Sequence, residues 1–202
     1  MKIYYLPGAC SLATKISLTE ARQNFEAIAV DRATKTTADG KDFHTINPKG
    51  YVPALVLHDG TVLTENVAVL AHVGSLDSTH TLAPQPGSAG YYRLLEWLGY
   101  INSEVHKNLS PLLRPGTSEE AKTAARALVM KRLGHIEEQL GTKPYLMGDD
   151  FTVADAYLYV TLSWSPRTGV DLSTLPRLAA YYERCRTRPS VQQVRKAEGL
   201  PP

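Results

Sequence analysis

Strand and helix signals alternate along this 202-residue chain up to about residue 80, and beyond that point strand signals almost vanish. That change limits the architecture more than any single motif does. Residues 2–6 read as a strand, and residues 11–22 as a helix with Leu12 and Ile16 on one face. Residues 25–30 alternate as a second strand, and 39–45 read as a short helix. Residues 54–57 and 61–63 form two more strands joined through His58-Asp59-Gly60, where Asp-Gly is a strong hairpin signal. Residues 65–73 then read as a helix with Thr64 as its cap. The order β-α-β-α-β-β-α suits a small sheet with helices on its faces.

The stretch 75–89 is rich in Ser, Thr, Pro and Gly and reads as a connection between units. Everything after it is helical. Residues 91–108 carry Leu94, Leu98, Ile101 and Val105 at helical spacing. Residues 117–140 begin with a capping box, Thr117 to Glu120, and residues 153–164 open with another, Thr152 to Asp155. Residues 175–186 and 190–197 complete the set. The expected organisation is an α/β domain at 1–78, a linker at 79–88 and an all-α domain at 89–202.

Composition removes several function classes. A formal net charge of +2 gives no broad surface for a polyanion, so no nucleic-acid partner is expected. Two cysteines, Cys10 and Cys185, are too few for a disulfide scaffold, and no His pair has the spacing of a helical metal site. No metal is expected. No apolar run is long enough to span a membrane and none near Met1 resembles a secretory signal, which points to a cytoplasmic protein.

Two short segments carry the chemistry. Pro7-Gly8-Ala9-Cys10-Ser11 places a thiol at the start of a helix, where the dipole favours thiolate and lowers its pKa. In Asn47-Pro48-Lys49-Gly50-Tyr51-Val52-Pro53-Ala54-Leu55 the Val52-Pro53 bond, entering a strand, is a candidate cis peptide that turns a backbone edge outward for an extended peptide. Together they suggest a thioredoxin-like domain holding a small thiol peptide against a reactive cysteine. Cys185, set among Leu178, Tyr181 and Tyr182, reads as core. Glu65 and Asn66 open a helix whose free backbone N–H groups suit a carboxylate.

In this order and spacing the motifs resemble the soluble glutathione transferases, and Cys10 narrows the likeness to their bacterial beta class. The likeness covers nearly the whole chain, and implies conjugation of glutathione to small hydrophobic electrophiles in detoxification. It also implies thiol–disulfide exchange through a Cys10–glutathione mixed disulfide. Cys10 and His106 take the catalytic roles in this reading. Glutathione, as co-substrate, is then held by Cys10, Lys35, Val52, Pro53, Glu65, Asn66, Ser103, Glu104, His106 and Lys107, with Glu104 reaching the second subunit of a homodimer. Gly99 and Asn66 depart from the usual residues of the class. Tyr5 and Ser11 rank behind Cys10 as activating hydroxyls, and Trp164 and Leu113 are candidates for lining the electrophile side. A non-catalytic ligand-binding protein, or a glutathione-dependent dehalogenase or isomerase, would use the same fold.

Overall fold

The computed structural model describes residues 1–201. Four short strands, β1 (Lys2–Tyr5), β2 (Glu26–Ala29), β3 (Ala54–Val56) and β4 (Val62–Thr64), form one sheet in the order β2-β1-β3-β4. The β1–β2 pair is parallel and the other two are antiparallel, with Lys2 opposite Glu26 and Ile3 opposite Leu55. A parallel pair needs a crossover, and α1 (Ser11–Glu20) supplies it. Successive residues of β1 face opposite sides, as the period of two requires. Ile3 packs with Leu18, Leu55, Val69 and Val73, under α1 and α2 (Asn66–Ser75); Tyr4 packs with Ile28, Val30, Phe43 and Ala54 on the other side. This is a thioredoxin-like sheet unit followed by helices, as the sequence leads one to expect.

Where local reading and structure differ, the cause is local hydrogen bonding. The helix expected over 39–45 shrinks to one 3-10 turn, Phe43–Thr45, because the Asp42 side chain accepts the His44 N–H (2.9 Å) and closes it there. Thr64 does not cap α2; it stays in β4, and its hydroxyl accepts from Lys49 Nζ (2.8 Å). Residue 65 is the cap position instead, with φ of +69° and no side-chain hydrogen bond to the helix. The cap of α5 (Glu119–Leu140) is Ser118, which accepts the Ala121 N–H (3.2 Å), while Thr117 donates to the Arg114 carbonyl (3.1 Å).

The helix expected over 91–108 is three pieces: α3 (Ala89–Tyr100), a π-helical segment Ile101–His106, and α4 (Lys107–Leu113). Pro111 sits within α4, where it cannot donate to the carbonyl one turn back. The widened segment still keeps Ile101 and Val105 in the core with Leu94 and Leu98. Four more helices follow: α6 (Val153–Leu162), α7 (Ser165–Thr168), α8 (Pro176–Arg186) and α9 (Pro189–Ala197). Every residue of α6 is buried, and its start carries the expected box, with Asp155 accepting from the Thr152 backbone (2.8 Å).

The sheet unit and the helices share one apolar core. Leu12, Ala13 and Ile16 of α1 belong to the same cluster as Leu158, Tyr181 and Val191. Gly74 is needed at this seam, since a Cβ there would come within 2.6 Å of the Ala83 Cβ. Two buried or half-buried ion pairs cross it: Lys15 Nζ to Glu198 (3.1 Å) and the Arg188 guanidinium to both oxygens of Glu20 (2.9 and 3.0 Å). No helix among the described residues is long and apolar enough to cross a membrane.

Candidate active site

The loop after β1 is clamped from the helical side. Gly8, at φ of +67°, donates its N–H to Glu198 (2.8 Å) and accepts at its carbonyl from the Trp164 indole N–H (2.8 Å). Residue 8 is thereby fixed from both faces, and the chain turns into α1 with Cys10 at its cap position. The Val52-Pro53 bond is cis, as expected, and it brings the Val52 carbonyl within 3.4 Å of Cys10 Sγ, which donates to it.

The thiol is not acidified in this setting. Burial pushes the Cys10 pKa up to about 12, and the opposing backbone N–H groups of Cys10 and Ser11 at the helix start do not overcome it. The expectation drawn from the helix terminus alone is therefore corrected. The dipole favours the thiolate, but the loss of water around the sulfur is the larger effect. Cys10 is a protonated hydrogen-bond donor near neutral pH.

A groove of about 530 Å³ opens between the two units beside Cys10. The sheet unit contributes Lys35, Val52, Pro53, Glu65 and Asn66, and the helical unit His106, Lys107, Ser110, Leu113 and Trp164. Eight of the expected residues thus converge. Two do not: the Ser103 hydroxyl donates to the Gly99 carbonyl (3.1 Å), and Glu104 pairs with Arg132 (2.7 Å), both outside the groove walls. Tyr5 lies under the Lys15 ammonium (3.7 Å to the ring centre), and Ser11 is buried against the Leu6 backbone. Neither lines the groove. Cys185 is buried and its thiol is also pushed up by desolvation, as a core cysteine should be.

At the floor of the groove the α2 N-terminus is left without a side-chain cap. Asn66 is buried there; its Oδ1 accepts from Thr14 (3.3 Å). Its Nδ2 makes no hydrogen bond of acceptable geometry, although it lies near enough to the Tyr157 hydroxyl to influence it. Glu65 beside it is paired with Lys49. An uncapped helix start with an unsatisfied amide donor and an adjacent carboxylate is suited to an amino acid headgroup.

On the opposite wall His106 stacks edge-on against Trp164 (4.9 Å between ring centres) and contacts the Tyr157 hydroxyl through Nδ1 (2.7 Å). Burial, aided by the charge of Lys107, lowers the His106 pKa to about 4, so the ring is neutral near pH 7. Tyr157 also donates to Asn102 Oδ1 (2.9 Å), and burial holds the phenol well above its usual range. Nothing in the sequence near Tyr157 marks it as a site residue, because its only local signal is burial within α6. A second, larger cleft of about 720 Å³ lies between the units near Glu20, Asp77 and Arg188. Of its two arginines, Arg22 and Arg188, the latter is already engaged by Glu20 and stacked on Phe151 (4.2 Å), and no cysteine or histidine faces the cleft. Cysteine and histidine side chains meet instead in the Cys10 groove.

Residues 8–76 match the family model for the glutathione S-transferase N-terminal domain, and residues 95–189 match that for the C-terminal domain. The chain is 43% identical to glutathione S-transferase GstA of Escherichia coli O157:H7, over 99% of this chain and all of that protein. A bacterial beta-class glutathione S-transferase from Sphingomonas chungbukensis is 45% identical and superposes with a TM-score of 0.95 over the full length of both chains. A sphingomonad glutathione S-transferase solved in complex with glutathione has the same identity, TM-score and coverage.

Proposed function

Since the chain belongs to the glutathione S-transferase family and is a transferase of the beta-class kind, we propose that the Cys10 groove binds glutathione and presents its sulfur to a small electrophile. The carrying observation is the uncapped start of α2, where Asn66 Nδ2 lacks a partner in the groove that also holds Cys10. In this reading the first N–H groups of α2 and the Asn66 amide take the γ-glutamyl carboxylate, and Glu65 takes the ammonium group. The Val52 backbone edge takes the cysteinyl peptide unit, and Lys35 the glycyl carboxylate.

The two groups nearest the sulfur act as polar supports. Cys10, protonated, donates a hydrogen bond to a thiolate better than it attacks as one. Neutral His106 offers its ring without a positive charge. The cationic walls, Arg32 among them, favour the glutathione thiolate, whose attack on an electrophilic carbon completes conjugation. Exchange through a Cys10–glutathione mixed disulfide is the minor chemistry here, because it needs the Cys10 thiolate that burial disfavours. We also assign a homodimer, consistent with exposed Tyr92 and Leu128 on α3 and α5 and with Tyr51 and Val62 on the sheet unit. A cytosolic location is consistent with two free cysteines.

Calorimetric titration of the full-length protein with glutathione tests the central assignment. One site per chain is expected, with affinity falling about ten-fold or more in Glu65→Ala at an unchanged melting temperature. No heat of binding, or equal damage to binding and folding, would overturn it.

A further inference from the structure

We propose that the electrophile this groove is built to take is an anion, an aromatic carboxylate, held by Lys107, Arg114 and Arg167 on the helical wall. The proposal rests on the glutathione assignment above and names the class of its second substrate.

The groove is cationic out of proportion to the chain. Arg32, Lys35, Lys107, Arg114 and Arg167 all line it, and none of them forms an ion pair or donates a side-chain hydrogen bond among the described residues. Its one carboxylate, Glu65, is held by Lys49, and His106 is neutral. Yet the whole chain carries a formal charge of only +2. Elsewhere, surface cations often have a carboxylate beside them, as in exposed Lys2–Glu26 and the half-buried Lys122–Glu119 and Arg186–Glu183.

Glutathione accounts for only part of this excess. Lys35 and the α2 terminus meet its two carboxylates, and Arg32 acts at Cys10, where the sulfur charge develops. The three remaining cations come from the other wall, and Lys107, which the family resemblance places with glutathione, is assigned to the second substrate instead. Lys107 and Ser110 lie one turn apart on α4, and Arg114, in extended backbone, is the residue that ends that helix. Helix α7 packs against α4 and carries Arg167, whose N–H donates to the Trp164 carbonyl (2.9 Å). Leu113 and the buried Trp164 ring supply apolar surface on the same wall. A flat apolar body with a carboxylate matches a wall of this kind, because guanidinium groups pair with carboxylates in a planar, two-point fashion.

The reaction on such a substrate is balanced without any further reagent. For a chloro-nitroaromatic acid, the glutathione thiol releases its proton to solvent and its sulfur forms a bond to the ring carbon. The carbon–chlorine bond then breaks and its electron pair leaves with chloride. The carboxylate takes no part in bond changes; it directs binding.

The test compares two probes that differ by one carboxylate, 2-chloro-1,3-dinitrobenzene and 4-chloro-3,5-dinitrobenzoate. Each is assayed with the full-length enzyme at several salt concentrations. In Arg114→Gln/Arg167→Gln, kcat/KM for the benzoate is expected to fall about ten-fold or more beyond any fall for the neutral probe. The KM for glutathione is expected to hold within about two-fold, and rising salt should erode the wild-type benzoate rate selectively. The exposed Lys131→Gln, remote from the groove, should leave the ratio of the two rates as it is. An equal effect on both probes would overturn the proposal and leave these arginines as solvated surface charges. A raised glutathione KM would overturn it by assigning them to the glutathione subsite. No turnover of either probe by the wild type would sink the conjugation reading itself, whereas turnover of both without charge preference sinks only this inference.

Discussion

The Tyr157 hydroxyl lies 2.7 Å from His106 Nδ1 and 2.9 Å from Asn102 Oδ1, so one buried phenol joins two other side chains of the groove wall. Its single proton goes to the Asn102 oxygen, and its own oxygen then accepts from His106. That assigns the His106 proton to Nδ1 and leaves Nε2 as an acceptor. Removing the hydroxyl should release this choice of tautomer. In Tyr157→Phe we expect the His106 nitrogen NMR shifts to move from a pure Nδ1–H form to a mixture. We expect kcat to fall several-fold with little change in glutathione KM. Stability should drop by about 1 kcal/mol, the usual net value of one hydrogen bond. An unchanged tautomer with normal kcat would reduce Tyr157 to packing.

His106 also has a signature in pH-dependent stability. Its folded pKa of about 4 lies below the ordinary 6.5, so between those values the unfolded chain binds a proton that the folded chain refuses. The protein should therefore lose stability as pH falls from about 6.5 to about 4, with no further loss from this group below that. His106→Gln removes the titration. Urea unfolding at pH 7, 5.5 and 4 should show a smaller acid loss in the variant, by on the order of 2–3 kcal/mol. Parallel curves for the two proteins would mean that His106 titrates normally.

For Cys10 the sign is opposite to that of an activated thiol. With its pKa pushed up to about 12, thiolate should be scarce at pH 7, and its rate of modification should rise about ten-fold per pH unit with no plateau near neutrality. Intact mass after exposure to oxidised glutathione, in wild type and Cys10→Ser, reads this directly. A slow adduct that appears only in alkaline solution and is absent from the serine variant is the expected result. A Cys10 adduct formed readily below pH 7 would show that the thiol is acidified after all and restore exchange as a main activity.

What the sequence made legible was whatever a few neighbouring residues decide. The hairpin at Asp59-Gly60, the box from Thr152 to Asp155 and the cis bond at Pro53 all depend on local chemistry, and the structure contains each. Thr117 against Ser118 was a choice between two adjacent hydroxyls, which only the turn from Arg114 resolves. The π-helical widening at Ile101–His106 had no local cue, since its apolar spacing suits an ordinary helix. The site was half visible for the same reason. Cys10 could be placed at a helix start, but its tertiary surroundings could not, such as the Val52 carbonyl that accepts from its thiol across 42 residues of sequence. Tyr157 and the arginines of the far wall acquire meaning only when the helical unit closes on the sheet.

Asp155 should matter for folding and not for chemistry. Its buried carboxylate accepts from the Leu146 N–H (2.9 Å), the Thr152 N–H and hydroxyl (2.8 and 2.7 Å) and the Tyr181 hydroxyl (3.0 Å). It therefore joins the loop before α6, the start of α6 and helix α8 in one network. Burial raises its pKa while these donors oppose the rise, so the network is what makes a carboxylate tolerable at this depth. Asp155→Ala strands all four donors and removes the cap, which should cost roughly 2–5 kcal/mol in chemical unfolding. Asp155→Asn keeps one acceptor oxygen and should cost less. Because no atom of Asp155 lines the Cys10 groove, the protein that remains folded should keep a near-normal kcat. A wild-type melting temperature with lost turnover would instead place Asp155 in the reaction, against everything its contacts indicate.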